Sequence, residues 1–567
     1  MQEVIDRLVR YLVFQAKVYE GQADELLDTK NTEGIRSYPR RGHTAYNFLA
    51  LYLTRHPANP YFQNPLAMDL YQRIIRVWID EWFEQIQKAG CIDSEEWRPF
   101  IVVRGLELLK DRMDKKLRRD ASKAIQSFVT TELPQPFFFT APNHEMWKLM
   151  VATVAGRVLG RPEWRRQAAF EVQQLLKYQT PEGFWEEGRH HGTSMAYNYV
   201  MLCPLAVLAR EMKSDKLLAA ARRLARFMCT WIFPDGMLTS ALDGRTGLGE
   251  ARPVPGLELV PEGMALLPRL MKAADEAGWF DPSRRDTPLY QSALDGNFMG
   301  AEELLYLSRP GPFPKARTLV FDRRNAARVN HTPYFNAAMI RRGPWAAALS
   351  GQISDVPKDT QFIYRLERQN RIDIWHEKAS VVIGGGHSLV TSAQPLYNVW
   401  VEPGFHFEPG EYSKTNDDAG SPAMARRRSK YYPRWANSGV TGNAAWLELA
   451  FAHATVRFEI EPRGGRLVIR YQYECVRLEE LRLCMPLLVW HPGRMRVDGK
   501  SALRLDKTEE KLVRSCVVAE DDFHGTRTTL TAPAAGRTIF RYPVDTMRSY
   551  AKIPPASRGV PSFTLGQ

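Results

Sequence analysis

Residues 142–199 read PNHEMWKLMVATVAGRVLGRPEWRRQAAFEVQQLLKYQTPEGFWEEGRHHGTSMAYNY, and this stretch decides the fold. Apolar residues recur at helical spacing over 147–160. After the turn GRPEW, a second helix is expected from Pro162 to about Tyr178, because proline is tolerated in the first turn of a helix. The loop at 185–194 leads into a third apolar helix at 195–212. This order predicts a unit of helix, turn, helix and long loop, about 50 residues in length.

Two short sequence motifs that occur twice indicate that the unit repeats. Pro-Glu-Gly-Phe at 181–184 returns as Pro-Asp-Gly-Met at 234–237, 53 positions later, and Ala-Tyr-Asn occurs at both 45–47 and 196–198. Repeated helical hairpins form a solenoid or close into an (α/α) toroid. In a toroid, alternate helices line an inner ring, and the loops before them gather on one rim. We therefore predict a toroid of helical hairpins in the N-terminal half.

Prolines at 310, 312 and 314 mark a boundary, beyond which the apolar period changes to two. Residues 454–475 alternate apolar and polar side chains around a Gly-Gly turn, which is typical of a β-hairpin. We therefore predict two domains, an (α/α) toroid at 1–309 and a large antiparallel β-sandwich at 310–567, with a loosely packed tail after Pro554. Similar strand-like runs occur at 317–322, 336–351, 371–383 and 527–541.

The composition favours a polyanionic partner. The 77 Lys and Arg residues exceed the 64 acidic residues, so the formal net charge is +13. Basic runs at 115–119 and 426–430 are short and isolated, and there is no zinc-finger spacing or phosphate-binding glycine loop, so nucleic acid is not expected as the partner. Anionic polysaccharide remains the favoured class.

Membrane insertion and disulfide bonding are also not expected. No run approaches the roughly 18 apolar residues of a membrane span, and residues 1–14 have the pattern of an amphipathic helix. We expect a cytoplasmic location, or a periplasmic or secreted one if a leader has been removed. The six cysteines form no CxxC pair, which favours free buried thiols.

Polar residues that could carry chemistry cluster before two of the predicted helices. Asn143 and His144 precede one; for an isolated Asn, capping of the helix N-terminus is the simpler explanation. Tyr197 and Tyr199 begin another helix, and at most one of them is expected to be catalytic. The histidines at 190–191 are adjacent and lack the spacing of a helical metal site, so no metal or cofactor is required.

An amide, an imidazole and a phenol on one rim would suit β-elimination from a sugar carboxylate. The proton next to a carboxylate is weakly acidic, so hydrogen-bond donors such as Asn and His must first neutralise the carboxylate. Tyr or His can then take the proton and protonate the leaving glycosidic oxygen. Arg36, Arg40, Arg41 and Arg189 could hold a polyanion.

These motifs resemble the heparinase II/III-like polysaccharide lyases, which include alginate and oligoalginate lyases with an α/α toroid and a β-sandwich. The resemblance rests on N-H-x-x-W at 143–147 and an E-G loop at 187–188, followed by a tyrosine about 55 residues after the histidine. It implies that Asn143 and His144 neutralise the substrate carboxylate and that Tyr199 acts as base and acid. We also expect His191 to join the catalytic set. The expected substrate-binding residues are Arg40, Arg41, His43, Tyr46, Trp147, Arg189, His190 and Arg371.

One departure from that family concerns a histidine in the β-sandwich. The family has a run resembling H-x-H-x-D, whereas here Gln369 and Arg371 stand before Asp373. His376, His387 or one of the toroid histidines at 190–191 could take over the missing role. Arg371 could instead bind a carboxylate.

Two alternatives compete with a lyase. A glycoside hydrolase on the same toroid would need two facing carboxylates, which Glu186 or Glu187 could supply together with Asp235 or Asp243. A non-catalytic polyanion-binding protein would use only the basic surface. The prediction that we favour is a carbon–oxygen lyase acting on uronate-containing polysaccharide or oligosaccharide.

Overall fold

The protein forms two compact units, each of which is described by itself. One comprises Met1–Trp185, Tyr197–Cys229 and Arg252–Thr318, and the other Glu186–Ala196, Thr230–Ala251 and Leu319–Gln567. A boundary at 309/310 stays a sequence-based prediction. The computed structural model describes residues 2–21, 38–89, 97–135, 142–186, 193–242, 253–276, 298–309, 312–353, 372–383, 401–403, 434–450, 454–475, 481–486, 492–501, 509–521, 525–531, 537–542 and 562–566.

The first unit is helical. None of the described helices is long and apolar enough to cross a membrane. The helices are α1 (Gln2–Glu20), α2 (Tyr38–Leu53), α3 (Pro65–Ala89), α4 (Trp97–Leu109), α5 (Lys115–Glu132), α6 (Pro142–Val158), α7 (Pro162–Leu176), α8 (Met195–Glu211), α9 (Asp215–Thr230), α10 (Pro261–Glu276) and α11 (Phe298–Leu307).

Burial separates inner helices from outer ones. Nearly every residue of α6 from Pro142 to Gly156 is buried, whereas its hairpin partner α7 buries a single stripe, Trp164, Ala168, Val172 and Leu175. A stripe at spacings of three and four covers one face of a helix. Helices α2, α4 and α8 resemble α6, and α3, α5 and α9 resemble α7. The predicted alternation of inner and outer helices is therefore confirmed.

The helical unit closes on itself. Inner helices α2, α4 and α6 contact one another in order, and the last helix, α11, packs against both α1 and α2. Helix α1 also contacts α10. Contact between the first and last helices distinguishes a closed toroid from an open solenoid, whose terminal repeats touch only their neighbours.

The repeated turn has the same hydrogen bonds at both positions. At 181–184 and at 234–237, the amide of the residue before the proline donates to the carbonyl of the fourth turn residue, at 2.9 and 3.0 Å. The glycine amide of each turn donates back at 3.0 Å. Gly183 and Gly236 adopt φ of 109° and 93°, which residues with a Cβ rarely adopt. The two similar sequences thus form the same turn structure.

The second unit is built of antiparallel sheets. Its strands are β1 (Asn325–His331), β2 (Asn336–Arg342), β3 (Trp345–Ser350), β4 (Ile372–His376), β5 (Ser380–Ile383), β6 (Val401–Pro403), β7 (Trp435–Thr441), β8 (Ala444–Ala450), β9 (Ala454–Arg463), β10 (Arg466–Cys475), β11 (Leu481–Pro486), β12 (Pro492–Val497), β13 (Lys500–Ser501), β14 (Glu509–Val513), β15 (Cys516–Asp521), β16 (Thr526–Thr531), β17 (Arg537–Tyr542) and β18 (Ser562–Gly566).

Two of the sheets form a sandwich. The sheet ordered β1-β2-β3-β4-β5 packs face to face on the sheet ordered β10-β9-β8-β7. Ile340, Leu349 and Ile374 of the first sheet share a core with Leu447 and Phe458 of the second. Further sheets run β14-β17-β18-β11-β6 and β13-β12-β15-β16. The predicted hairpin at 454–475 is confirmed as β9 and β10, whose residues pair in register from Arg463 and Arg466.

Two strand predictions are wrong in detail. The run 317–322 is not a strand: Val320–Asp322 forms one 3-10 turn, because the Leu319 amide donates to the Asp322 carboxylate at 2.8 Å. The tail after Pro554 is not entirely loose, because Ser562–Gly566 pairs with both β11 and β17. In both cases a tertiary or side-chain hydrogen bond overrides the local pattern.

Candidate active site

The inner helices begin at one end of the helical unit. Short turns at 159–161 and 212–214 reverse the chain between α6 and α7 and between α8 and α9, so the first helices of successive hairpins run in the same direction. We call the first two turns of α2, α4, α6 and α8 the inner-helix rim. Arg40, Arg41 and His43 lie in the first turns of α2, and Asn143 and His144 in the first turn of α6.

Asn143 does not cap helix α6. The helix begins at Pro142, so Asn143 is its second residue, and its Oδ1 accepts no hydrogen bond from any described residue. A capping Asn would instead accept a backbone N–H from the first turn. The Asn143 side chain is only 2% exposed, and a buried amide oxygen without a donor is costly. The Oδ1 atom of Asn143 is therefore available to accept a hydrogen bond, since it is not used to cap the helix.

His144 shares a face of α6 with a buried cation. It is half-buried, and Lys148 follows it by one helical turn, where side chains stack on one face. The Lys148 ammonium lies 2.6 Å from the Glu145 carboxylate, and both side chains are less than 10% exposed. The beginning of α6 thus combines an amide, an imidazole and a buried ion pair.

The two tyrosines of α8 differ in exposure. Tyr199 is 4% exposed, whereas Tyr197 is only half-buried. Asn198 stands between them, and its amide accepts from the Trp185 N–H and donates to the Trp185 carbonyl, both at 2.8 Å. The segment that carries the predicted base is therefore tied to the peptide before the 187–192 loop.

Three aromatic rings form a packed layer between the inner helices α2, α4 and α6. The ring centroids of Tyr46 and Phe100 are 5.6 Å apart, and those of Phe100 and Trp147 are 5.3 Å apart. Tyr46 and Trp147 are fully buried. Both were predicted to bind substrate, which stays a prediction, and their ring contacts also hold α2, α4 and α6 together.

A buried ion pair joins this layer to the last helix. Arg104 donates to the Glu302 carboxylate through Nε and Nη2, at 3.1 and 2.8 Å, and the Tyr46 hydroxyl also donates to Glu302. Burial, together with the Glu302 charge, raises the pKa of Tyr46 well above its ordinary value. Tyr46 is therefore poorly suited to act as a base. Arg104 and Glu302 were not among the predicted residues. The sequence feature that could have indicated them is a charged residue within each of two apolar helices.

Further ion pairs link the opposite ends of the inner helices. Glu107 of α4 bonds to Arg157 of α6 at 2.6 Å, and Arg157 bonds to Glu211 of α8 at 2.8 Å. Arg210 pairs with the buried Glu258. Although burial acts to raise it, the pKa of Glu107 is lowered overall by the arginines beside it. Glu107, Arg157, Arg210 and Glu211 all lie near the C-termini of their helices, away from the inner-helix rim.

Glu303 is a buried acid of a different kind. It is fully buried, and neither carboxylate oxygen bonds to any described residue. Burial raises the pKa of Glu303 well above its ordinary value, and the nearby Glu258 carboxylate adds to that effect. Glu303 therefore differs from its neighbour Glu302, whose carboxylate is paired with Arg104.

Several predicted residues lie outside the described part of the chain. An antiparallel bridge joins Glu186 to Thr193. Asp235, a candidate for the hydrolase alternative, accepts hydrogen bonds from Trp375 Nε1 at 2.7 Å and Ser380 Oγ at 2.6 Å, which occupy it structurally. The predicted residues that lie outside the described part of the chain are Arg36, Arg189, His190, His191, Arg371, Glu187, Asp243 and His387.

Asp373, which matches the aspartate of the family's H-x-H-x-D run, accepts a hydrogen bond from a backbone amide. Asp373 is fully buried and accepts the Ala241 amide at 2.7 Å. His376 packs against the Trp345 ring, with centroids 4.5 Å apart, and burial lowers the pKa of His376. Within the described residues, no three His, Cys, Asp or Glu side chains are grouped to hold a metal ion.

Comparison with known proteins gives a fold but no sequence family. No family model matches the chain, and no curated protein matches it. A chondroitin AC lyase from Streptomyces coelicolor A3 superposes with a TM-score of 0.50 at 11% identity, over 99% of this chain and 77% of that one. The chain has the fold of this lyase. The predicted order, a helical toroid and then antiparallel sheets, is thereby confirmed.

Other solved structures superpose more weakly. A chondroitinase AC lyase gives a TM-score of 0.46 at 10% identity, over 100% of this chain and 80% of that one. A heparinase III gives 0.38 at 9% identity, over 93% and 77%.

Adjacent glutamates of α11 provide a test of the buried charges. Glu302→Gln should destabilise the helical unit by about 3 kcal/mol, because it leaves Arg104 without its charged partner. Glu303→Gln should have little effect near pH 5, since the raised pKa of Glu303 favours its neutral form, which Gln resembles in shape and charge. The measurement is urea unfolding followed by far-ultraviolet circular dichroism at about pH 5 and about pH 8.

The pH dependence has a defined sign. The folded state holds the Glu303 proton more tightly than the unfolded chain does, so the wild type loses stability as pH rises above the ordinary pKa of glutamate. Gln ionises in neither the folded nor the unfolded state. The stability of Glu303→Gln relative to the wild type should therefore increase from about pH 5 to about pH 8. Equal and pH-independent losses in both variants would contradict the assignment of charges.

Proposed function

We propose that the protein is a polysaccharide lyase that cleaves an anionic, uronate-containing polysaccharide or oligosaccharide by β-elimination. The observation that carries the proposal is Asn143. Its buried amide stands in the first turn of an inner helix, next to His144, and does not cap that helix. The fold, shared with a chondroitin AC lyase, and the net charge of +13 support the same conclusion.

The proposed chemistry begins with the substrate carboxylate. Asn143 and His144 donate hydrogen bonds to it, and the positive end of the α6 dipole favours the same anion. With that charge neutralised, the proton on the adjacent carbon becomes acidic enough to be removed. No metal or cofactor is needed for this step.

Tyr199 serves as base and then as acid. Its phenolate takes the proton, the C–H electrons form a carbon–carbon double bond, and the C–O bond to the leaving sugar breaks. The Tyr199 hydroxyl then protonates the departing glycosidic oxygen. Arg40 and Arg41 at the beginning of α2 supply positive charge.

The product distinguishes a lyase from its alternatives. A lyase leaves an unsaturated uronate that absorbs in the near ultraviolet, a hydrolase does not, and a binding protein cleaves nothing. The Streptomyces enzyme was solved with chondroitin sulphate, so the substrate panel should contain that polymer beside alginate, ulvan, pectate and glucuronan. We expect an absorbance rise with at least one of these. Chain shortening without it would favour hydrolysis, and binding alone would favour the non-catalytic alternative.

Substitution of Asn143 tests the carboxylate interaction. Asn143→Ala should lower kcat by about 10²–10³-fold, the usual cost of removing one preorganised donor. Asn143→Asp should lower kcat at least as far, because its charge repels the substrate carboxylate. The measurement is the initial rate of absorbance rise, with thermal unfolding as the control for folding. Wild-type kcat in Asn143→Asp would contradict the proposed role.

The two tyrosines of α8 form a matched pair. Tyr199→Phe should abolish turnover while oligosaccharide binding persists, because only the hydroxyl is lost. Tyr197→Phe removes the same group two residues away and should retain most activity. Rates and equilibrium binding are measured for both variants on the best polymer of the panel. The reverse pattern would assign the base to Tyr197 instead.

A further inference from the structure

Helix α8 contains a proline, Pro204, which removes one of the backbone hydrogen bonds that connect the first turns of the helix to the rest of it. Pro204 lies inside the helix and has no N–H to donate to the carbonyl four residues earlier, at Val200. Residues 195–200, which include Tyr199, are therefore coupled to the rest of α8 by fewer backbone hydrogen bonds. The first turn of any helix also has N–H groups without helical partners. An additional anchor is needed to keep this turn in one place.

Asn198 supplies that anchor. Its side chain is 3% exposed, and its amide bonds to both backbone polar groups of Trp185, the N–H and the carbonyl. An amide can donate and accept at once, whereas an ionised Asp can only accept and an Ala side chain can do neither. Two bonds from one planar group also fix its orientation as well as its distance.

The partner of Asn198 is itself rigid. Trp185 is 1% exposed, and its indole Nε1 donates to the Leu175 carbonyl at the end of α7, at 2.9 Å. The neighbouring Phe184 ring packs on Phe227 of α9, with centroids 4.8 Å apart. Asn198 thus connects the beginning of α8 to a segment held by two outer helices.

We propose that Asn198 is a positioning residue for Tyr199. It holds the first turns of α8 against the Trp185 peptide, so that the Tyr199 hydroxyl keeps one position although Pro204 makes no backbone hydrogen bond to Val200. The inference rests on the proposed lyase function, in which Tyr199 transfers the proton. It is independent of which uronate is the substrate.

Asn47 provides a matched control within the same chain. It occupies the same place in the other Ala-Tyr-Asn sequence, is fully buried, and donates through Nδ2 to Gln15 Oε1 at 2.7 Å. Its partner is a side chain of α1, and it holds no peptide next to a candidate base. Asn47→Ala therefore removes a comparable buried amide without touching the α8 anchor.

The first measurement separates kcat from KM. Asn198→Ala should lower kcat by about 10²-fold with KM little changed, since a displacement of the reacting group by about 1 Å costs that much. Asn47→Ala should lower the melting temperature and leave kcat, measured well below that temperature, near the wild-type value. Equal losses of kcat in both variants, or wild-type kcat in Asn198→Ala, would overturn the inference.

The second measurement does not depend on activity. Amide hydrogen exchange of the peptide covering 195–203 should accelerate in Asn198→Ala and remain unchanged in Asn47→Ala. Unchanged protection in Asn198→Ala would show that this turn is held by other contacts, and the inference would fail. If the wild type cleaves no polymer of the panel, the proposed function fails, and the exchange comparison still decides whether Asn198 anchors the turn.

Discussion

The helical unit depends on the bidentate pair between Arg104 and Glu302. Arg104 belongs to α4 and Glu302 to α11, so the pair joins an early inner helix to the last one. Removing two charges from water is expensive, and the cost is offset only where the geometry is good and further hydrogen bonds are made. Here Tyr46 and Glu107 provide those bonds, and the ring of helices closes around them.

Charge is distributed unevenly along the inner helices. Their C-terminal ends hold paired charges, such as Glu107 with Arg157, whose work is to connect neighbouring helices. Their N-terminal ends hold polar groups with binding capacity, such as Asn143. Helix N-termini also attract anions through their dipoles. Stability and proposed chemistry therefore occupy opposite ends of the same helices.

Local sequence patterns predicted much of this molecule. The repeat at 181–184 and 234–237 was visible because its turn needs glycine with positive φ, which only a few residue types satisfy. The hairpin at 454–475 was visible because each strand has one buried face. By contrast, Arg104 and Glu302 are 198 positions apart. No local rule connects such distant charges, so the pair that closes the ring could not be predicted.

By itself, the sequence determined the order of helical hairpins and antiparallel strands, and it identified Asn143, His144 and Tyr199 as residues suited to one reaction. Only the tertiary structure decided that Asn143 is not a cap, that Tyr46 and Trp147 are buried, and that Asn198 holds the turn before Pro204. The physical reason is that periodicity and turn chemistry act over a few residues. Burial and hydrogen-bond partners arise from segments that meet only when the chain has closed.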